Sequence, residues 1–574
     1  MLENEIKPRP EHANLKDYQE ACKKFSWDDV NKEFTWHSTG KLNIAYEAID
    51  RHAENPEKAH LKCLIYAHDN RRETITYEQM RLLSNKFGNL LRSLDVEKGD
   101  RVFIFLPSLP EQYIAFVGCA KIGAVIIPFY SNYQEGAVRE RMIDAKGKVL
   151  VTTSRHLRRV PVDEIPDLEH IIIVGEGSPD LEEEYVLWDT GMAQASDELD
   201  IEWVDKEFPL FMIYTSGQQG KAVGLLHPHD AMRGYLMTSR WVLDLKDGDR
   251  LWTQGQPGWF MSVVYSAFAP WLCGIESFVA GRIRSAEEMY RLIEEHRISV
   301  LYTMPALYRL IIRAGDDVPK KYDLKSLRHL LSVLDPLFPD VIYAVLRILG
   351  LPVYDTWWSA ETGMITVANL LCIPLKPGYL GKPVPGIHVA VLNSEGDEVP
   401  PFTMGEIAVE VGWPCMARDV WGDEEVYQRY IRNKPWFMTG DIAFVDFDHY
   451  LFYQGRADDV IITSAGKTGL AEIENILQMH PAIAEAGVIR IPGKEGIKKT
   501  KAFIRLKPEY KPTDLLKKKL MGFVKKNFAY DIAPREIEFC ESLPRDKNGN
   551  LLRRVLKAWE LKLPVGNISS LSNE

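Results

Sequence analysis

The chain has 574 residues, enough for a large core and more than one domain. Its 46% hydrophobic and 26% charged residues are the composition of a globular protein, not a disordered one. A formal net charge of −11 excludes a general nucleic-acid binder, because no basic concentration is available to grip phosphates. The seven cysteines (22, 63, 119, 273, 372, 415 and 540) are scattered and form no CxxC pair. That pattern points to a reducing compartment without structural zinc. The opening residues lack the apolar core of a signal peptide, and no apolar run reaches the ~18 residues of a membrane span. The expectation is a cytoplasmic chain with no nucleic-acid or membrane partner. Asn567-Ile568-Ser569 matches a glycosylation sequon, which has no meaning without secretion.

Short apolar runs alternate with helical patterns along the first half. Val102–Leu106 reads as a buried strand, Tyr113–Phe116 as helix, and Ala124–Pro128 as strand again. Val149–Val151 and Ile171–Val174 continue the rhythm, which is βαβ patterning with mostly parallel strands. Ser285 and Glu288 have capping-box spacing, and Met289, Leu292 and Ile293 set the apolar stripe of the helix that follows. A domain boundary is expected near Gly455–Asp459, dividing a large domain (1–457) from a lid (458–566) and a frayed polar tail (567–574). In the lid, Thr513 caps a helix with Leu516, Leu520, Phe523 and Val524 on its apolar face. Lys517, Lys518 and Lys519 form its solvated side.

Chemistry enters with a glycine-rich stretch, Tyr214-Thr215-Ser216-Gly217-Gln218-Gln219-Gly220-Lys221-Ala222-Val223-Gly224. Glycines at this spacing let backbone N–H groups turn toward phosphate oxygens. Alone the signal is weak. Four further stretches follow it in order: Tyr354–Gly363, with Asp355-Thr356-Trp357-Trp358 inside it; Met438-Thr439-Gly440-Asp441; Gly455-Arg456-Ala457-Asp458-Asp459-Val460; and Leu543–Arg554.

Five matches in this order, in a chain of this length, resemble the AMP-forming acetyl-CoA synthetases of the adenylate-forming acyl-CoA synthetase superfamily. The resemblance runs over essentially the whole chain, and the Asp-Thr-Trp-Trp block is particular to the acetate and propionate branch. It implies an α/β multidomain fold: a large N-terminal domain of two βα-sheets plus a small barrel, with a small C-terminal α+β lid. It implies ATP or AMP, Mg²⁺ and CoA as ligands. Thr356 would contact the nucleotide, together with Thr215, Ser216, Gly217, Gly220, Asp335 and Asp355. Glu361 would help hold Mg²⁺. Asp441 would take both ribose hydroxyls, assisted by Arg456. Trp358 would wall a short acyl pocket shared with Phe260, Met261, Val333 and Leu334. Asp458 would be the hinge of the lid, and Ala465 and Gly466 would lie on the CoA side.

The sequence also departs from the family pattern at ligand-facing positions. Gln218 and Gln219 stand for two phosphate-loop hydroxyls, Ala222 for its proline and Val223 for its lysine. Leu334-Asp335-Pro336 stands for G-E-P, and Phe260 and Met261 for a valine and a threonine. Ser464-Ala465-Gly466-Lys467 stands for S-G-x-R, and Asn550 for the lysine that meets carboxylate and α-phosphate. An amide cannot neutralise an anionic transition state, and added methylenes overfill a pocket made for two carbons. The expectation is a synthetase-like protein with greatly reduced or lost acetate adenylation, binding nucleotide, a partner protein or an active paralogue. The alternative is a divergent but active ligase that turns ATP, an unknown short acid and CoA into acyl-CoA, AMP and pyrophosphate. A carrier-protein-type adenylating domain fits less well, because no carrier domain accompanies it.

Overall fold

The structure, a computed structural model, describes residues 5–68, 71–175, 185–216, 222–423, 425, 427–428, 431, 434–456, 460–463, 466–492, 498–527, 533–545 and 551–561. The chain divides into two compact units. One contains residues 1–388 with 411–430, and the other 389–410 with 431–574. The boundary expected at 457/458 falls on residues outside those described.

The first unit is built on two large sheets, so its α/β class is as the alternating runs required. The runs at 102–106, 124–128, 149–151 and 171–174 fold as strands Arg101–Phe105, Val125–Pro128, Val149–Thr152 and His170–Ile173, with the helix Pro110–Lys121 between the first two. These four strands pair in parallel in an eight-stranded sheet. The strand β1 (Pro209–Ser216) joins them in parallel beside Val125–Pro128. It then pairs antiparallel with β2 (Ala222–Pro228). The glycine-rich stretch lies between β1 and β2, with residues 217–221 outside those described.

The second sheet has nine strands. Near one edge β3 (Val300–Thr303), β4 (His329–Ser332) and β5 (Val353–Trp357) run side by side in parallel. They are almost entirely buried. Strands covered on both faces in this way carry continuous apolar runs instead of alternating ones. Parallel strands also align their carboxyl ends along one edge, where ligands of open α/β sheets bind.

The expected helix after Ser285 is Ala286–His296, with Met289, Leu292 and Ile293 buried. Its cap differs in one half from the expected box. Ser285 Oγ accepts from the Glu288 N–H at 3.2 Å, but the Glu288 carboxylate accepts from the Arg284 N–H at 2.9 Å, one residue earlier than the reciprocal bond requires.

In the second unit, β6 (Trp436–Val445) and β7 (Leu451–Arg456) belong to a four-stranded antiparallel sheet. A separate three-stranded sheet packs with the helices Leu470–Gln478 and Asp514–Asn527 around Leu477, Val488, Ile504, Leu520 and Val524. The Leu516 N–H donates to Thr513 Oγ1 at 3.2 Å, which is the expected cap.

Candidate active site

The carboxyl ends of β4 and β5 carry the densest set of functional candidates. β5 supplies Asp355 and Thr356, and Trp358 follows it. The register sets Ser332 of β4 beside Asp355 and beside Thr303 of β3. Thr356 Oγ1 donates to the Ser332 carbonyl at 2.7 Å and lies 2.8 Å from Tyr302 Oη. The Trp358 indole N–H donates to the same Tyr302 Oη at 3.0 Å. Tyr302 therefore joins the two residues expected at the nucleotide and at the acyl wall. It was not among the sequence candidates.

On the opposite face of these strands the hydroxyls of Thr303 and Ser332 are buried without hydrogen-bond partners. Asp355 shares their row. Burial pushes its carboxyl well above the usual carboxylate range, and nearby Asp335 adds to the rise. Its Oδ1 accepts the Thr356 N–H at 3.0 Å. A carboxyl whose pKa is raised holds its proton to higher pH than an exposed one, and in that form it can donate as well as accept.

The acyl-pocket candidates divide in two. Phe260, 8% exposed, lies in a cage of rings: 5.3 Å from Trp358, 4.7 Å from His227 and 5.4 Å from Phe211. Met261 and Val333 are buried as well. Leu334, expected to fill the same space, is 52% exposed and has φ 83°. A branched side chain at this backbone angle costs on the order of 1–3 kcal/mol. The strain follows from placing leucine where the turn out of β4 needs a left-handed residue. Gly258, just before Phe260, answers the same demand without strain. At φ 84° its missing Cβ would lie 2.3 Å from the Phe129 carbonyl.

His227 also bounds this cage. Its Nδ1 lies 3.1 Å from the Cys415 carbonyl, and burial pushes its pKa down to about 3. The imidazole is neutral at physiological pH, so Nδ1 bears the proton and donates it.

At the phosphate-loop end, Thr215 and Ser216 close β1. The Thr215 hydroxyl is buried without a partner among the described residues, and the register places Val223 opposite it. Val223 packs against the small apolar cluster of Leu225, Ala417 and Val420, beside Ala360. An aliphatic side chain thus occupies the position expected to carry a cation. Tyr214 anchors the loop from below, with its hydroxyl donating to Asp144 at 2.6 Å.

Glu361 follows Ala360 and is partly buried, its backbone carbonyl accepting from the Ala417 N–H at 3.0 Å. No cluster of three metal-ligating side chains exists among the described residues.

In the second unit, Asp441 on β6 pairs with Arg456 on β7. Arg456 NH1 donates to Asp441 Oδ1 at 3.0 Å, and the Tyr453 hydroxyl lies 3.4 Å from the same oxygen. A carboxylate fixed by neighbouring donors is preorganised to accept hydroxyl protons. Gly466 opens the strand Gly466–Gly469. Gly217, Gly220, Asp458, Ala465 and Asn550 lie outside the described residues.

Fold and side chains together match the adenylate-forming family. The family described as AMP-binding enzyme matches residues 49–419, and its C-terminal domain matches residues 472–550. The chain belongs to that family, and within it to the homologues of AMP-forming acetyl-CoA synthetases. It is 44% identical to the acetyl-coenzyme A synthetase of Bacillus subtilis, over 98% of both chains. It is 34% identical to that of Methanothrix soehngenii, over 97% of this chain and 88% of the relative. Among solved structures it resembles an anthranilate CoA ligase, AuaEII, in complex with anthranoyl-AMP (TM-score 0.81, 25% identity, 91% of this chain and 98% of that one). It also resembles a Brucella canis acyl-CoA synthetase (TM-score 0.74, 26% identity, 95% and 99%). The relatives are synthetases by name, and nothing in these comparisons speaks for a lost activity. No helix among the described residues is long and apolar enough to cross a membrane.

Proposed function

We propose that this protein is a divergent, active AMP-forming acyl-CoA synthetase that joins a short carboxylic acid to CoA at the expense of ATP. The observation that supports this reading most strongly is the complete hydrogen-bond chain at the ends of β3 to β5. It holds Thr356 and Trp358 together in a chain matched end to end by acetyl-CoA synthetases.

In this reading Asp355 and Thr356 hold the base end of the nucleotide; in the second unit, taken by itself, Arg456 steadies the Asp441 carboxylate, which is suited to accept from hydroxyl groups. Glu361 would help hold Mg²⁺, which would neutralise phosphate charge when bound. The acid lies against Trp358, and its carboxylate attacks the α-phosphate to give acyl-adenylate and pyrophosphate. The CoA thiol then displaces AMP. Val223 and Asn550 leave this chain short of two positive charges near the reacting groups, so the chemical step is slow. Removing one such group costs about 2.7–4 kcal/mol of transition-state stabilisation.

A second reading is favoured by one observation: the Phe260 ring packs 5.3 Å from Trp358, the wall proposed for the acid. In that reading the protein binds nucleotide, and through it a partner protein or an active paralogue, without turnover. Acid-dependent pyrophosphate release, measured over straight-chain acids of one to six carbons, separates the two. Release above the ATP-only background with at least one acid, increased by Phe260→Val, is expected. No release from either protein with any acid overturns the ligase reading and leaves the second.

A further inference from the structure

The polar chain that ends at Trp358 has only one possible direction. An indole N–H can only donate, so the proton between Trp358 Nε1 and Tyr302 Oη, 3.0 Å apart, belongs to the indole. A carbonyl can only accept, so the single proton of Thr356 Oγ1 is committed to the Ser332 oxygen at 2.7 Å. The remaining link, 2.8 Å between Tyr302 Oη and Thr356 Oγ1, must therefore be a donation from tyrosine to threonine. Tyr302 is wholly buried and Thr356 almost so. In such surroundings a group that loses its partner is costly, so the chain holds each member in one rotamer.

Among the described residues, two aromatic rings also meet the indole. Tyr265 meets it edge-on at 5.3 Å, and Phe260 lies against it at 5.3 Å with a 48° tilt. Ring contacts of this kind tolerate rotation far better than a hydrogen bond does. The direction in which the indole plane faces is thus fixed by Tyr302 Oη.

We infer that Tyr302 is a positioning residue that sets the acid length this protein accepts, by holding the Trp358 wall in register with the nucleotide-contacting Thr356. The inference deepens the ligase reading and rests on it, because it takes Trp358 as the acyl wall. With the hydroxyl present, the wall is rigid and admits acids of two or three carbons. Without it, the indole N–H has no acceptor in its present rotamer. The ring then turns to find one, and longer acids gain room. The same hydroxyl serves Thr356, so acid choice and nucleotide contact are mechanically linked through one oxygen.

The test uses the full chain and a series of non-hydrolysable acyl-sulfamoyl adenosines with acyl groups of two to six carbons. Two changes remove the same hydrogen bond from its two ends. Tyr302→Phe removes the acceptor. Benzothienylalanine at position 358 keeps the ring shape and removes only the donor N–H. The wild type should favour the two-carbon analogue over the six-carbon one. Each change should reduce that preference roughly tenfold, the weight of one buried hydrogen bond. The two combined should reduce it no further than either alone. Melting curves identify any variant that does not fold, and the position-358 replacement carries the test if Tyr302→Phe is the one lost.

Equal weakening for all acyl lengths would give Tyr302 a merely structural role and overturn the inference. So would independent, additive shifts from the two changes. If the wild type binds none of the acylated analogues, the ligase reading itself fails, and this is seen before any variant is made.

Discussion

The carboxyl edges of the two sheets in the first unit differ in how their polar groups are satisfied. At the end of β5, Thr356 gives and receives a hydrogen bond and is tied through Tyr302 to Trp358. At the end of β1, Thr215 keeps a buried hydroxyl with no partner among the described residues, and its neighbour across the hairpin is Val223, packed into an apolar cluster. The first edge holds its shape without ligand. The second depends on whatever completes the phosphate loop. For the ligase proposed above, the slow step is then assigned to the phosphate end, where Val223 stands at a position expected to carry a cation, and acid selectivity to the β5 end, where Thr356, Tyr302 and Trp358 are hydrogen-bonded together.

The largest effect should come from restoring charge at the weak edge. Val223→Lys together with Asn550→Lys should raise the adenylation rate by a hundredfold or more, since each such group is worth about 2.7–4 kcal/mol in the transition state. Acid-dependent exchange of labelled pyrophosphate into ATP measures it. An unchanged rate would mean that other cations already serve the phosphates, and the contrast between the edges would disappear.

Acidification should strain both edges. Burial pushes His227, within β2, and His229, just after it, down to about 3, and His329, at the start of β4, down to about 4. His52 and His156 are lowered likewise, to about 3 and about 4. In the unfolded chain each titrates near its ordinary value of about 6.5. Between about 6.5 and 4 the unfolded state therefore binds more protons than the folded one. Stability falls as pH drops through that window and is complete above it. Each histidine contributes up to about 1.4 kcal/mol per pH unit, and Asp355, whose carboxyl burial raises, works in the opposite direction and offsets part of the sum. Urea melts at pH 7, 6 and 5 should show a progressive loss of several kcal/mol. A flat profile would contradict the neutral, buried imidazoles.

The contrast is sharpest in a pair of matched substitutions. Thr356→Val strands the Tyr302 donor and the Ser332 carbonyl and should cost about 2–3 kcal/mol. Thr215→Val removes a hydroxyl that has no partner and should be neutral or slightly stabilising, within about 0.5 kcal/mol. Chemical denaturation of both variants gives the difference directly. Equal losses would show that the Thr215 hydroxyl is bonded in solution.

Much of this was legible in the sequence. The alternation of apolar runs placed the strands from Arg101 to Ile173, and the order of five short stretches pointed to the family and named Thr356, Trp358, Asp441 and Arg456 as candidates. Tyr302 was invisible for a physical reason. In Val300-Leu301-Tyr302-Thr303 it reads as one more aromatic of a buried strand, and its partners lie 54 and 56 residues away. The available signal was its place at the carboxyl end of a parallel strand. Leu334 was misjudged differently. Its volume suggested a filled pocket, but the turn out of β4 gives it a positive φ and leaves it half exposed. Side-chain size is written in a sequence, whereas backbone handedness at one residue is set by the turn around it.

The most direct measurement is a single-turnover reaction of the purified full chain with ATP, Mg²⁺ and a mixture of short acids, read by mass spectrometry for acyl-adenylates. An active ligase with a rigid Trp358 wall should form an adenylate of a two- or three-carbon acid, slowly, and pass it to CoA when the thiol is added. ATP bound and recovered intact, with no adenylate of any acid after many hours, would contradict that claim and leave a nucleotide-binding protein on a synthetase frame.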